Sequence, residues 1–386
     1  MSPGAAADLV LLTRSLGYGG AEAQLVRLAL GLHARGYRVQ VLVFYGGGPL
    51  EERLAAAGVP VLALGKRSRW DLLFFFARLR RCVRRLRPRV LYSFLGSSNV
   101  FAALLRPGVP QTRVVWSVRS SNVDLGRYGR VDRWQFRIEA WLSRIPHRIV
   151  VNSRAGLEHA ARHGFHRAGM RVVYNGIDTA LFRRDEEKRR AMRRAWGIPE
   201  GQRLIGLVGR LDPMKGHAVF LRAAAGLVQG GQPVHFVCVG DGSAGFSNQL
   251  RRLCAALGIA AKVDWRAAQG DAAAVFNALD VCTSASLSEG FSNVIGEAMA
   301  CEVPCVVTDV GDSAHIVGDA GIVIPPADPA ALTAAWQQLL AAPPAALRER
   351  GARARARILA EFPLEKMITA SIAALELGAP AAARTP

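Results

Sequence analysis

The chain has 386 residues, 51% hydrophobic and 21% charged, so it can bury a sizeable core and lies outside the range of disordered chains. That length exceeds what one core usually organises and favours two domains of ordinary size, which excludes a small scaffold held by disulfides or metal. The net charge of +20 comes almost wholly from residues before 176, so a basic half stands beside a near-neutral one and points to an anionic partner: nucleic acid, a membrane or a charged substrate.

Short β-type runs alternate with helical patterns along the whole chain. The first run, 8–13, leads into Gly17-Tyr18-Gly19-Gly20-Ala21-Glu22 and an amphipathic helix over 21–35. Glycines at a helix start let the backbone approach a ligand and offer N–H groups to an anion, although a tight strand-to-helix turn alone would look the same. The spacing of this loop is not GxGxxG, so the loop gives nicotinamide chemistry no support, and no GxxxxGK[ST] occurs, so P-loop chemistry loses support.

Strands are expected at 38–44, 59–64, 89–93, 113–117, 148–152 and 171–174. Between the second and third of these, residues 66–89 place Leu72, Phe76, Leu79, Val83 and Leu86 on one stripe, expected to pack on the sheet. Trp70 and Phe74 point away from it, beside Arg78, Arg81, Arg84 and Arg85, a pattern that suits either a solvated helix or peripheral association with an anionic membrane. His159, His163 and His166 have helical spacing, but nothing completes a metal set, and Gly164 is expected to end their helix, leaving a solvent-facing cluster.

After the charged segment 183–194 and the break at 197–201 the alternation restarts, with strands expected at 204–208, 234–239, 262–265, 280–283, 305–308 and 321–324. Helices are expected at 217–229 and 248–257, then over 348–377, with a frayed tail at 378–386. Such alternation means βαβ units and parallel sheets covered on both faces. The fold class is therefore α/β, two doubly wound Rossmann-like domains facing a central cleft, and ligands should bind where strands end.

Two motifs follow strands of the second half. Gly209-Arg210-Leu211-Asp212-Pro213-Met214-Lys215-Gly216-His217 sets two cations five residues apart, able to converge on a pyrophosphate. Ser288-Glu289-Gly290-Phe291-Ser292-Asn293 leads into a helix that carries Glu297 about one turn in. Two carboxylates near a helix start with the N–H groups of Phe291, Ser292 and Asn293 suit polyol recognition beside a phosphate.

These residues resemble retaining GT-B glycosyltransferases, specifically glycosyltransferase family 4, with Glu289 and Glu297 as the paired glutamates. The resemblance extends over the glycine-rich first loop, Val151-Asn152-Ser153, Tyr174-Asn175-Gly176-Ile177-Asp178, Gly209-Arg210 with Lys215, Gly240-Asp241-Gly242, and Glu289 through Pro304. It implies an acceptor-binding domain at 1–178, a linker at 179–202, a nucleotide-sugar domain at 203–362, and a last helix at about 364–377 packed back on the first domain.

By the same resemblance, Arg210 and Lys215 bind the diphosphate, Glu297 the ribose and Glu289 the transferred sugar. Gly19 and Gly20 cover the phosphates, while Gly240, Asp241, Gly290, Phe291, Ser292 and Asn293 complete the donor site. The chain departs from the family pattern at Val114-Val115-Trp116-Ser117-Val118-Arg119-Ser120-Ser121-Asn122, where Arg119 takes the place of a common histidine and is expected to touch a donor phosphate or an acidic acceptor. A second departure is Asp309-Val310-Gly311-Asp312-Ser313-Ala314-His315.

The expected activity is transfer of a hexose-type sugar from a nucleotide diphosphate, UDP favoured, to a glycan or lipid-linked glycan in surface polysaccharide or glycolipid synthesis. No cofactor beyond the nucleotide-sugar substrate is expected, and the lack of any Asp-x-Asp pair fits a metal-independent site. Alternatives are a sugar-nucleotide 2-epimerase of the same fold or a non-catalytic basic protein binding membrane or nucleic acid. No RRM, helix-turn-helix or zinc signature supports nucleic acid. No apolar run reaches the length of a spanning helix and residues 1–4 lack a signal pattern, so the chain is expected in the cytoplasm or on the inner membrane face. The six scattered cysteines read as reduced, buried thiols, and Cys301 with Cys305 lacks the partners of a zinc site.

Overall fold

The computed structural model describes residues 7–68, 70–119, 130–199 and 201–380, the side chains of 130–133 excepted. Residues 1–4, Ser120, Ser121, Asn122, Glu200 and the end of the 378–386 tail, all singled out above, lie outside the described residues. The chain divides into two compact units: Met1–Gly176 with Leu364–Pro386, and Ile177–Pro363.

The first unit runs β1 (Leu9–Thr13), α1 (Gly20–Ala34), β2 (Val39–Val43), α2 (Glu51–Ala56), β3 (Val61–Ala63), α3 (Leu73–Leu86), β4 (Val90–Phe94) and α4 (Gly96–Leu105). It continues with β5 (Arg113–Val118), α5 (Arg130–Leu142), β6 (Arg148–Val151), α6 (Arg154–Arg162) and β7 (Met170–Val172). The seven strands form one parallel sheet in the order β3-β2-β1-β4-β5-β6-β7. Both faces are covered, which is why β1 and β4 are buried at every residue and read as continuous apolar runs. Alternate residues take opposite sides. Leu9 and Leu11 join the core under α1 and α2, and Val10 and Leu12 the core under α3 to α6.

The second unit runs α7 (Glu186–Trp196), β8 (Arg203–Val208), α8 (His217–Gln229), β9 (Val234–Val239), α9 (Ala244–Ala256), β10 (Val263–Arg266), α10 (Ala272–Ala278) and β11 (Val281–Ser284). Then follow α11 (Asn293–Ala300), β12 (Cys305–Thr308), α12 (Ser313–Val317), β13 (Ile322–Ile324), α13 (Pro329–Ala341) and α14 (Pro344–Glu361). The strand order is β10-β9-β8-β11-β12-β13, again all parallel. The last helix, α15 (Leu364–Leu375), belongs to the first unit, where Met367, Ile368 and Leu375 enter the core beside α1.

Three sequence expectations differ from this structure. Residues 179–202, read as a linker, are built into the second unit. There the Asp185 side chain caps α7 by accepting from Lys188 N at 2.9 Å, and Arg189 and Arg193 reach Asp280 at 2.7 and 3.3 Å. On α3 the buried residues are Phe75, Leu79 and Val83, whereas Leu72, assigned to the packed stripe, is 48% exposed because it precedes the helix. His159 is buried rather than solvent-facing, its ring 4.2 Å from that of His163 and 6.1 Å from that of Phe136 on α5, and burial pushes its pKa down to about 4.

Candidate active site

Each sheet reverses its winding once, and a reversal leaves a crevice at the carboxyl ends of the two central strands. In the second unit this point lies between β8 and β11. The loop after β8 carries Arg210 and Lys215, the loop after β11 carries Glu289, and α11 follows with Glu297. Lys215 Nζ meets Glu289 Oε1 in an ion pair, and Ser286 Oγ donates to the same oxygen at 2.8 Å. Lys215 is 30% exposed and Glu289 11%, so the pair is partly shielded and still reachable from solvent.

Backbone contacts hold these loops together. Gly216, at φ 70°, sits so close to the second loop that a Cβ there would collide with the carbonyl oxygen of Ala285. Leu287 N donates to Met214 O at 2.7 Å, and Thr308 Oγ1 from β12 donates to Ser286 O at 2.6 Å. Asp212 turns the first loop by accepting from Met214 N at 2.9 Å, and its other oxygen takes Arg210 Nη2 at 3.0 Å. Arg210 itself is 75% exposed.

Gly240 and Asp241 follow β9 and lie against the first loop. Leu211 N donates to Asp241 O at 2.8 Å, and the chain passes Gly209 too closely for a side chain at Gly240. A pocket of about 220 Å³ opens here, lined by Leu211, Asp241, Trp265 and Arg251, whose guanidinium stands 5.3 Å over the Trp265 ring.

The start of α11 is built from Gly290, Phe291 and Ser292. Gly290 O accepts from Asp312 N at 3.0 Å, so the divergent segment after β12 props the glutamate loop. Phe291 is buried with its ring 5.3 Å from that of Phe362, Ser292 is the buried residue before the helix, and Asn293 opens it. Glu297 is 9% exposed on the fifth residue of α11, and its charge helps burial push the Cys301 thiol up to about 12.

The second unit thus brings Lys215, Glu289 and the α11 start together, with Arg210, Gly240 and Asp241 on adjoining loops. Sequence reasoning passed over Ser286 and Thr308, whose hydroxyls fix the glutamate and its loop. His217, which the sequence offered only as the end of its motif, is the first residue of α8 and is fully buried. Desolvation and then Lys215 push the His217 pKa down to about 4, so it stays neutral and adds no charge to the site. A separate cavity of about 320 Å³ lies near the amino ends of β8 and β11, lined by Arg184, Arg189, Arg203 and Arg348, with Asp280 paired to Arg189.

The first unit holds Gly19, Gly20 and Arg119. Gly19 is the extended residue before α1, and the Glu22 carboxylate folds back over it, in the space a side chain at Gly19 would need. Arg119, just past β5, donates from Nε to Ser117 Oγ at 2.8 Å and from Nη1 to Asn175 Oδ1 at 2.7 Å, with its guanidinium 4.6 Å over the Phe94 ring. Burial lowers its pKa, opposed by Tyr92 and Glu22. Asn175 and Gly176 therefore act locally as a tether: Gly176 exchanges bonds of 3.1 and 2.9 Å with the Gln24 side chain of α1. Among the described residues no group of three or more His, Cys, Asp or Glu could hold a metal ion.

Comparison with known proteins adds independent findings. A family model described as Glycosyltransferase Family 4 matches residues 18–181, and one described as Glycosyl transferases group 1 matches residues 202–342. D-inositol 3-phosphate glycosyltransferases of Mycobacterium tuberculosis and Mycobacterium bovis are 36% identical over 171 residues, 42% of this chain and 34% of theirs. The chain thus spans about a third of the length of the curated relatives it matches. Among solved structures, Anabaena HepE in complex with UDP-glucose superposes with a TM-score of 0.85 at 20% identity, covering 95% of this chain and 99% of that one. WaaG, a glycosyltransferase involved in lipopolysaccharide biosynthesis, gives 0.75 at 17% identity over 95% and 99%.

Proposed function

We infer that this chain, which has the GT-B fold and a glycosyltransferase family model matched in each half, is a GT-B glycosyltransferase of the family-4 type that transfers a hexose from a nucleotide diphosphate. The observation that carries the reading is the Lys215–Glu289 pair at the β8/β11 reversal, on loops locked to each other and to the start of α11. Breaking the anomeric C–O bond puts positive charge on the sugar and negative charge on the departing diphosphate. Lys215 and Arg210 would neutralise the diphosphate, Glu289 would orient the sugar, and Glu297 would accept from the ribose hydroxyls. These charges need no metal to balance the leaving group.

The UDP and UDP-glucose complexes of HepE favour a uridine donor. A retaining outcome, an acceptor that is a glycan or lipid-linked glycan, and work at the cytoplasmic face complete the proposal.

Calorimetric titration of the full chain with UDP, GDP, ADP and dTDP, without added metal, tests it. One nucleotide should bind, and Lys215→Ala should weaken it by about 10- to 100-fold, the size of a lost charged hydrogen bond. Failure of every nucleotide to bind folded protein, or equal binding by the variant, overturns the reading.

A further inference from the structure

On α5, Trp134, Ile138 and Trp141 fall at i, i+4 and i+7, the spacing of a core-facing stripe, yet they are 63%, 44% and 74% exposed. The opposite side of the same helix also turns apolar groups inward, where Ala140 enters the core and Phe136 packs against it. A helix apolar on both sides is normally covered on both. Next to it, Leu73 and Phe74 on the first turn of α3 are 83% and 80% exposed, and Trp70 just before it is 80% exposed. Between α3, α4 and α5 runs a groove of about 790 Å³, lined by Leu72, Phe76, Phe101, Leu104, Trp134 and Ile138.

Among the described residues, the exposed charges around this face that no carboxylate pairs are all arginines. Arg81, Arg84 and Arg85 are exposed on the later turns of α3, and Arg137 and Arg144 flank the α5 stripe, with Arg137 5.9 Å from the centre of the Trp134 ring. α3 contains no acidic residue, Asp71 before it is paired with Arg78 at 2.7 Å, and Glu139, the one carboxylate of 134–142, is buried. A second copy of the chain would bring arginine against arginine across such a face. An anionic lipid surface satisfies both features: aromatic rings sit at the headgroup level, arginine stems run along apolar surface with their heads on lipid phosphates, and hydrocarbon enters the groove.

We propose that the α3–α5 face of the first unit is a docking surface for an anionic lipid leaflet, with the groove between α3, α4 and α5 taking a lipid hydrocarbon chain. The proposal deepens the lipid-linked acceptor reading and rests on it only for the choice of occupant. Docking by this face would hold the protein at the membrane where such an acceptor is anchored.

Vesicle co-sedimentation of the full chain tests it, with phosphatidylcholine alone and with about a third phosphatidylglycerol. Wild type should sediment with the anionic vesicles and much less with the neutral ones. The pairs Trp134→Ser with Trp141→Ser, and Leu73→Ser with Phe74→Ser, should each reduce binding about tenfold or more, since each removes two large apolar groups from the bilayer. The two pairs lie on different helices, so misfolding of one leaves the other as a test. Protein that stays in the supernatant, variants that bind like wild type, or a wild-type dimer in light scattering that the variants dissolve would each overturn the proposal. UDP titration of the same variants should be unchanged, which keeps failure of lipid docking distinct from failure of the donor site.

Discussion

Both units wind a parallel sheet about one reversal point, but they use it differently. At β8/β11 a cation and a carboxylate meet on two loops locked by backbone contacts. At β1/β4 the loop carries an exposed Tyr18, Glu22 folds over Gly19, and Arg119 is held by Ser117 and Asn175. The first unit instead carries exposed apolar and basic side chains on the outer faces of α3 and α5. The same winding therefore does not prescribe the same chemistry; the loops and surface side chains do.

The largest expected effect tests whether the second unit holds the chemistry. Glu289→Gln should lower kcat by about 10²- to 10³-fold while leaving UDP affinity within a few-fold, the pattern of a group that acts on the transition state. A loss confined to UDP affinity would instead make Glu289 a binding group.

Gly216→Ala comes next. A positive φ combined with a collision on Ala285 should destabilise the second unit by about 3 kcal/mol or more and abolish UDP binding. Gly17→Ala, in the glycine-rich loop of the first unit with nothing within 4 Å, should change stability by no more than about 0.5 kcal/mol. Equal thermal shifts for the two variants would remove the contrast between a locked loop and an open one.

The units also differ in their buried titratable groups. His217 in the second unit has its pKa pushed down to about 4, whereas burial of Glu139 on α5 pushes that carboxyl up to about 7. The stability linked to His217 is intact above its unfolded value of about 6.5 and is lost as pH falls toward 4. That linked to Glu139 is intact below an unfolded value of about 4.3 and is lost as pH rises through 7. Each shift corresponds to about 3 kcal/mol at its full extent. Glu139→Gln should therefore raise the unfolding temperature at pH 8 and leave it unchanged near pH 4.5. His217→Gln should flatten the loss between pH 6.5 and 4, with a remainder from His159.

The smallest effect concerns α15. Glu365, 74% exposed and paired with Arg35, should cost less than about 1 kcal/mol when replaced by Ala, because water screens the pair. A larger drop in thermal midpoint would mean that the ion pair, rather than the burial of Met367 and Ile368, holds α15 on the first unit.

All thirteen strands of the two sheets were legible from apolar runs bounded by glycine, proline and polar residues, because strands covered on both faces leave that pattern whatever surrounds them. The two tight glycine positions were marked in the sequence too, since close backbone approach at Gly216 and Gly240 leaves no room for a side chain. Burial was not. A period of 3.6 shows that a helix has an apolar stripe but not which neighbours cover it. The α5 stripe is therefore exposed and Phe75 buried, while His159 lies against Phe136. Nor could charge pattern reveal that Arg189 and Arg193 of the supposed linker would find Asp280, about 90 positions away. Local sequence determined which elements form and where their loops carry charge. Long-range packing decided which charges are paired and which apolar faces remain open, because those depend on partners far apart in the chain.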